Sequence, residues 1–265
     1  MFKPGMTIAE SRAAMEAAFR KPGGPYATSL PFDRLRAEEL VRVFCDLAAY
    51  PEGDQTPADW RGFHGERVLD VGCGEGGTCT YIPEEFRRLY TGVEISQTAV
   101  ERARANFPGA NYVCCAAEEF HTTEKYTLAT CIEAIEHWVS PQTIMPAIRN
   151  ALRDGGYLVL TTPNADSLHL RMADKLGLPR VKCCHEHLKE WHFNELIHFV
   201  EAFGFKRVRS AGVAVYPYWA LEARLGPAIR GLTDHDPQVN EWMISLGRTA
   251  DPQLCFNQAH AFKAV

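Results

Sequence analysis

Val68-Leu-Asp-Val-Gly-Cys-Gly-Glu-Gly-Gly77 decides the fold. The apolar run Arg67–Gly72 predicts a short buried strand, and the glycines after it predict a tight turn. Gly72 and Gly74 allow the backbone to bend sharply and to approach a ligand closely. A helix is expected from Thr78 to Arg88, its free N–H groups aimed at whatever lies in the turn. Gly72, Gly74 and Gly77 satisfy G-x-G-x-x-G, the dinucleotide fingerprint, which alone is a weak signal. Asp70 inside the strand suits a ligand carrying an amine, whereas a pyrophosphate gains nothing from it. Glu94 ends the next apolar run at a spacing of about 20 residues, where a carboxylate accepts hydrogen bonds from ribose hydroxyls.

Outward from this stretch, short apolar runs alternate with helix-period segments. Strands are expected over Arg67–Gly72, Leu89–Glu94, Asn111–Cys115, Tyr126–Ile132 and Gly156–Thr162, with helices over Gln97–Asn106 and Pro141–Leu152 between them. That alternation predicts a parallel sheet with helices on both faces and right-handed crossovers. Asn194–Gly204 reads as an amphipathic helix stopped by its glycine, Phe205–Val215 as a strand, and Cys255–Val265 as a closing strand. Two helices are expected before the core, over Glu10–Arg20 and Phe32–Tyr50, followed by a Pro- and acid-rich loop over Pro51–Asp59. Asn164–Trp191 reads as irregular or partly helical, and Tyr216–Ala250 as holding two short helices.

Composition bounds the function classes. The 265 residues are 46% hydrophobic and 23% charged, which fits one core domain with additions. A net charge of -5 argues against a dedicated nucleic-acid surface. Nine cysteines, several inside apolar runs, read as buried free thiols of a reducing cytoplasm. No apolar run is long enough to span a bilayer, and the charged opening twenty residues carry no secretory signal.

Taken together the motifs resemble those of class I S-adenosylmethionine-dependent methyltransferases, over roughly residues 60–212. V-L-D-V-G-C-G-E-G resembles their first motif and T-G-V-E-I-S their second-strand acidic motif. A-A-E-E-F resembles the loop after strand three, C-I-E-A-I-E-H the end of strand four, and L-R-D-G-G-Y-L-V-L-T-T-P-N the lead into strand five. The resemblance implies a Rossmann-like seven-stranded α/β sheet in the order 3-2-1-4-5-7-6, strand 7 antiparallel. It implies a helical cap over residues 1–60, a core over 61–265, and lid or cap insertions at about 165–193 and 213–252. S-adenosylmethionine would be the cofactor and S-adenosylhomocysteine the product. Asp70, Gly72, Cys73 and Gly74 would hold the methionine part, Glu94 the ribose hydroxyls, and Ile95, Ala117, Glu118 and Ile132 would border the remainder. Many relatives carry Asp where Ala116 stands, so the contact to the adenine amino group differs here.

The acceptor side rests on Glu133-Ala-Ile-Glu-His137 and on Cys183-Cys-His-Glu-His187 ahead of Leu-Lys-Glu-Trp191. Histidine titrates near neutrality and is the usual base, so His137, Glu133 and His187 are the candidate catalytic residues. Ubiquinone-type and natural-product small-molecule methyltransferases resemble the chain, and in them E-x-x-E-H is widespread. By that resemblance the acceptor is an oxygen or nitrogen of a small molecule, with no metal. Small-RNA 3′-end 2′-O-methyltransferases resemble it more weakly; there Glu133, Glu136, His137 and His187 would hold a divalent metal, a donor set that suits Mg, Mn or Fe-type ions. A regulatory protein that binds the cofactor without catalysis is the third reading. Adjacent cysteines lack zinc-site spacing, so Cys183, Cys184 and His185 are not expected to bind zinc. The aromatics Tyr26, Trp191, Phe193, Tyr216, Tyr218, Trp219 and Trp242 point to an apolar acceptor pocket.

Overall fold

The computed structural model describes residues 5–21, 31–49, 66–180, 184, 186–216 and 236–265. Its sheet has seven strands in the order β3-β2-β1-β4-β5-β7-β6: β1 Val68–Val71, β2 Tyr90–Glu94, β3 Asn111–Cys114, β4 Tyr126–Ile132, β5 Leu152–Pro163, β6 Phe205–Val213 and β7 Asn257–Ala264. The first five are parallel, and β7 runs antiparallel to both β5 and β6. This is the expected order and the expected orientation of the last strand.

Alternation along β1 divides the core. Val68 packs into one apolar cluster, with Tyr90, Leu128 and Val159. Leu69 and Val71 face the other, with Ala129, Leu158 and Leu160. The first face is covered by α2 (Pro31–Ala49), α3 (Gln97–Asn106) and α7 (Pro237–Thr249). The second is covered by α4 (Pro141–Ala151) and α6 (Phe193–Glu201). Each helix presents an apolar stripe for this purpose: Ile144, Met145, Ile148 and Ala151 on α4, and Phe193, Leu196, Ile197 and Val200 on α6 are buried. Burying one such large side chain stabilises the fold by roughly 1.5–3 kcal/mol. Two further helices, α1 (Ile8–Phe19) and α5 (Leu168–Lys175), lie outside these layers.

One expectation is corrected. No α-helix follows the glycine loop. The chain instead makes two 3-10 turns, Gly77–Tyr81 and Glu84–Leu89, separated at Pro83. Gly76 is left-handed at φ 81°, and two β-branched threonines follow it, so a helix is disfavoured ahead of Pro83, and the proline itself interrupts one that would run through it. The region 216–250 contributes one helix of 13 residues, α7, among its described residues; residues 217–235 are outside them. The loop at Pro51–Asp59, the aromatics Tyr26, Tyr218 and Trp219, and Cys183 with His185 also lie outside the described residues. Among those described, eight cysteines are free, and no helix is long and apolar enough to cross a membrane.

Candidate functional site

A cavity opens at the carboxyl ends of β1, β2, β3 and β4, where open α/β sheets bind their ligands. Gly72, Glu94 and Ile95 form one wall, Ala117 and Glu118 a second, and Glu133 and His137 a third. These positions come from four separate strand ends, and the sequence reading named each of them. Gly72 sits at φ 82°, and a Cβ there would fall 2.5 Å from the Cβ of Ala134. Its backbone is held by an N–H donated to the carbonyl of Val93 at 2.8 Å. Only glycine meets both conditions.

Glu94 is anchored through both of its carboxylate oxygens. One carboxylate oxygen accepts from the N–H of Gly74 at 3.0 Å and the other from the N–H of Ser96 at 2.9 Å. Burial pushes its carboxyl up, against the lowering effect of those N–H groups. Each oxygen keeps lone-pair capacity for another donor, as a ribose diol requires. Glu118 takes the N–H of Ser140 at 3.2 Å, which ties the loop after β3 to the start of α4.

Asp70 is placed differently. It is buried on the α2 and α3 side of the sheet, where its carboxylate accepts from the hydroxyls of Tyr90 at 2.7 Å and Thr130 at 2.8 Å. It is not among the residues lining the cavity, nor are Cys73, Gly74 and Ile132. Burial pushes both the Asp70 carboxyl and the Cys73 thiol up. The N-terminal helix supplies walls that sequence reading missed: Ile8, Ser11 and Met15 of α1 line the same cavity. The helical period that places Ser11 and Met15 four apart on one face was legible, but not what that face meets.

The turn after β4 gathers the acceptor-side residues. Glu133 has a left-handed backbone at φ 49°, unusual for a residue with a Cβ and a frequent mark of functional sites. Its carboxylate accepts from Thr161 Oγ1 at 3.0 Å and Asn257 Nδ2 at 2.7 Å, and Asn257 in turn accepts from Arg36 of α2 at 2.8 Å. Glu136 is buried; one oxygen accepts from Thr162 Oγ1 at 2.8 Å, and the other, Oε1, has no hydrogen-bond partner. The segment before α6 is stitched onto this turn. The N–H groups of Leu188 and Lys189 donate to the carbonyl of Glu136, and His137 Nδ1 donates to the carbonyl of Glu186 at 3.1 Å. His187 is thereby brought to Glu136, and His187 Nδ1 bonds Glu190 at 3.0 Å.

Glu136, His137 and His187 consequently offer three ligand atoms within 4.8 Å of one another. Both imidazoles engage an acceptor through Nδ1, the outer-shell pattern of metal-ligating histidines. Burial and His187 push His137 down to about 4. Burial, together with Glu133, pushes Glu136 well up. The donor set, two imidazoles and a carboxylate with an orphaned oxygen, fits a divalent cation. Glu133 lies outside this cluster, and each of its two oxygens accepts one hydrogen bond, from Thr161 and from Asn257.

A family model described as a methyltransferase domain matches residues 32–210. Ubiquinone biosynthesis O-methyltransferase of Burkholderia thailandensis is 28% identical over 163 residues, covering 58% of this chain and 70% of that protein. Its namesake in Glaesserella parasuis is 30% identical over 113 residues, 39% and 48% of the two chains. Among solved structures, the [4+2]-cyclase SpnF superposes with a TM-score of 0.60 at 16% identity, covering 100% of this chain and 99% of that one. Magnesium protoporphyrin IX methyltransferase of Synechocystis, with bound S-adenosylhomocysteine, gives 0.57 at 11% identity over 96% and 100%. The strand order, the cavity at four strand ends and the family match agree: the chain belongs to the class I S-adenosylmethionine-dependent methyltransferases.

Proposed function

We propose that the chain transfers the methyl group of S-adenosylmethionine to a hydroxyl oxygen of a small molecule. The observation that supports this most directly is the position of His137. It lines the cofactor cavity and also belongs to the cluster with Glu136 and His187. In the reaction an oxygen lone pair attacks the methyl carbon, and the carbon–sulfur bond breaks with its electrons returning to sulfur. The hydroxyl proton must leave, and Nε2 of His137 would accept it. Glu94 would take the ribose hydroxyls, Ile95, Ala117 and Glu118 would flank the adenine, and Glu133 would orient the acceptor. The ubiquinone biosynthesis O-methyltransferases among the relatives favour oxygen over nitrogen.

A second reading draws on the orphaned oxygen of Glu136. Glu136, His137 and His187 would hold a divalent cation, which when bound supplies positive charge that lowers the pKa of an acceptor hydroxyl. Turnover of catechols, phenols, amines and a 3′-hydroxyl RNA oligonucleotide, followed by mass spectrometry, tests both. Methyl ethers on the small hydroxyl acceptors are expected, and His137→Ala should lower turnover by about 100-fold while S-adenosylhomocysteine affinity holds. Exclusive N-methylation, or methylation of the RNA alone, would reject the small-molecule oxygen reading.

A further inference from the structure

The cofactor cavity holds about 60 Å³, whereas sites for small organic ligands run to about 300–1,000 Å³. A nucleoside joined to an amino acid enters only if a wall retreats. The walls differ in how they are held. Gly72, Glu94 and Glu133 stand at or just past strand ends, and the strands are joined by ladders of backbone hydrogen bonds. The wall from α1, which carries Ile8, Ser11 and Met15, is tied to the loops around it through side chains.

The two halves of α1 are held unequally. In the C-terminal half Met15 and Phe19 are buried against Ala99 and Ile95, and Glu16 takes hydrogen bonds from Ser96 and Thr98. In the N-terminal half Ile8 is only half-buried, and Ala9 and Glu10 are exposed. Arg12 pairs there with Glu119 at 2.5 Å, each side chain nearly half exposed. The same Glu119 oxygen accepts from the N–H of Ala116, so the pair lands on the loop that forms the cavity's second wall. Just ahead of the helix, Met6 is buried at the edge of another cavity, about 430 Å³ in volume, beside α4 and α6. A side chain that borders open space lacks contacts on that side.

From this asymmetry we infer that α1 is a gate for the cofactor. It pivots about its C-terminal half, with Arg12–Glu119 and Met6 as the latch, and opens to let S-adenosylmethionine in and S-adenosylhomocysteine out. Such a gate governs cofactor exchange whatever acceptor is methylated.

Stopped-flow tryptophan fluorescence tests the gate, since Trp138 lines the cofactor cavity. Association and release of S-adenosylhomocysteine are timed separately in the intact chain. A latch holds the closed state with and without ligand. Arg12→Ala should therefore raise both rates about two- to five-fold and leave the dissociation constant within about two-fold, which also shows that the variant folds. Met6→Ala should act in the same direction. S-adenosylhomocysteine carries no net charge at neutral pH, so salt acts on its exchange through the exposed ion pair. Raising KCl from about 0.05 to about 0.5 M should speed exchange in the wild type but not in Arg12→Ala. Reversing the pair, Arg12→Glu with Glu119→Arg, should restore the slow rates. A rise in the release rate alone, with affinity falling to match, would make α1 a fixed wall and overturn the gate. Rates untouched by Arg12→Ala, or not restored by the reversed pair, would overturn it as well. No binding of S-adenosylhomocysteine would remove the cofactor from this cavity, and the gate with it.

Discussion

Oε1 of Glu136 stands 4.0 Å from Nε2 of His187 with no hydrogen bond made by that oxygen. Two acceptor atoms facing each other across such a gap are repulsive unless a proton or a cation lies between them. If a cation fills it, Mn(II) titration followed by electron paramagnetic resonance will show one site per chain. Glu136→Ala and His187→Ala should weaken binding by more than about 100-fold. Glu190→Ala, which removes the acceptor of His187 Nδ1, should cost about 10–100-fold. Binding that is indifferent to all three would place the metal elsewhere and leave His137 as a base alone.

Glu94 carries the prediction for the cofactor. Each ribose hydroxyl donating to an ionised carboxylate contributes about 1.5–3 kcal/mol. Glu94→Ala should therefore weaken S-adenosylhomocysteine by about 100-fold or more in calorimetry, and it also releases the N–H groups of Gly74 and Ser96. Glu94→Gln keeps an acceptor oxygen and should lose less. Equal affinities for the wild type and Glu94→Ala would remove the ribose from this strand end.

The sheet was legible because its signal is local. Buried strands such as Val68–Val71 and Tyr126–Ile132 are apolar runs bounded by turn residues, and they alternate with helical periods. The cavity's walls were legible wherever a strand end supplied them, at Gly72, Glu94, Glu133 and His137. Three things were not. The carboxylate of Asp70 turns inward because Tyr90 and Thr130, 20 and 60 residues away, offer it hydroxyls; only the register of three strands brings them together. The face of α1 meets the cofactor cavity through packing between segments some 80 residues apart. The 3-10 turns after the glycine loop follow from Pro83 and left-handed Gly76, where a helical pattern of side chains was overridden by the backbone.

Gly72 offers a steric test. With Gly72→Ala, the new Cβ overlaps Ala134 at 2.5 Å, and the residue is held at φ 82°. Backbone strain of this kind costs about 1–3 kcal/mol, and the clash adds to it, so denaturant unfolding should show a loss of at least about 2 kcal/mol. Cofactor affinity should fall as well, since Gly72 lines the cavity. Ala134→Gly in the same chain removes the clash but not the strain. A double-mutant cycle should then return a favourable coupling of about 1 kcal/mol; no coupling would mean that the loop relaxes away from Ala134.

Glu16 links acid stability to the cofactor cavity. It stands on α1, and its carboxylate accepts from the Ser96 hydroxyl at 2.8 Å, the Thr98 hydroxyl at 2.5 Å and the Thr98 N–H at 3.2 Å. It thus fastens α1 to the N-terminal turn of α3. The hydrogen bond from Thr98 is the largest of the effects that hold its carboxyl at about 2, against an ordinary 4.5. A depressed acid contributes its stability fully above the unfolded value and loses it as pH falls through the folded one. The contribution is therefore complete above about pH 5 and fades between about 4.5 and 2. Its side chain is 20% exposed, and after allowance for solvent screening the contribution is about 1–2 kcal/mol. Glu16→Gln should be destabilised by that amount at pH 6 and by nearly nothing at pH 2, measured by urea unfolding. Ser11 and Met15 share this helix and line the cavity, so the variant should also bind S-adenosylhomocysteine a few-fold more weakly at pH 6. A stability difference that stayed constant from pH 6 to pH 2 would show that the Glu16 charge does not fasten the helix.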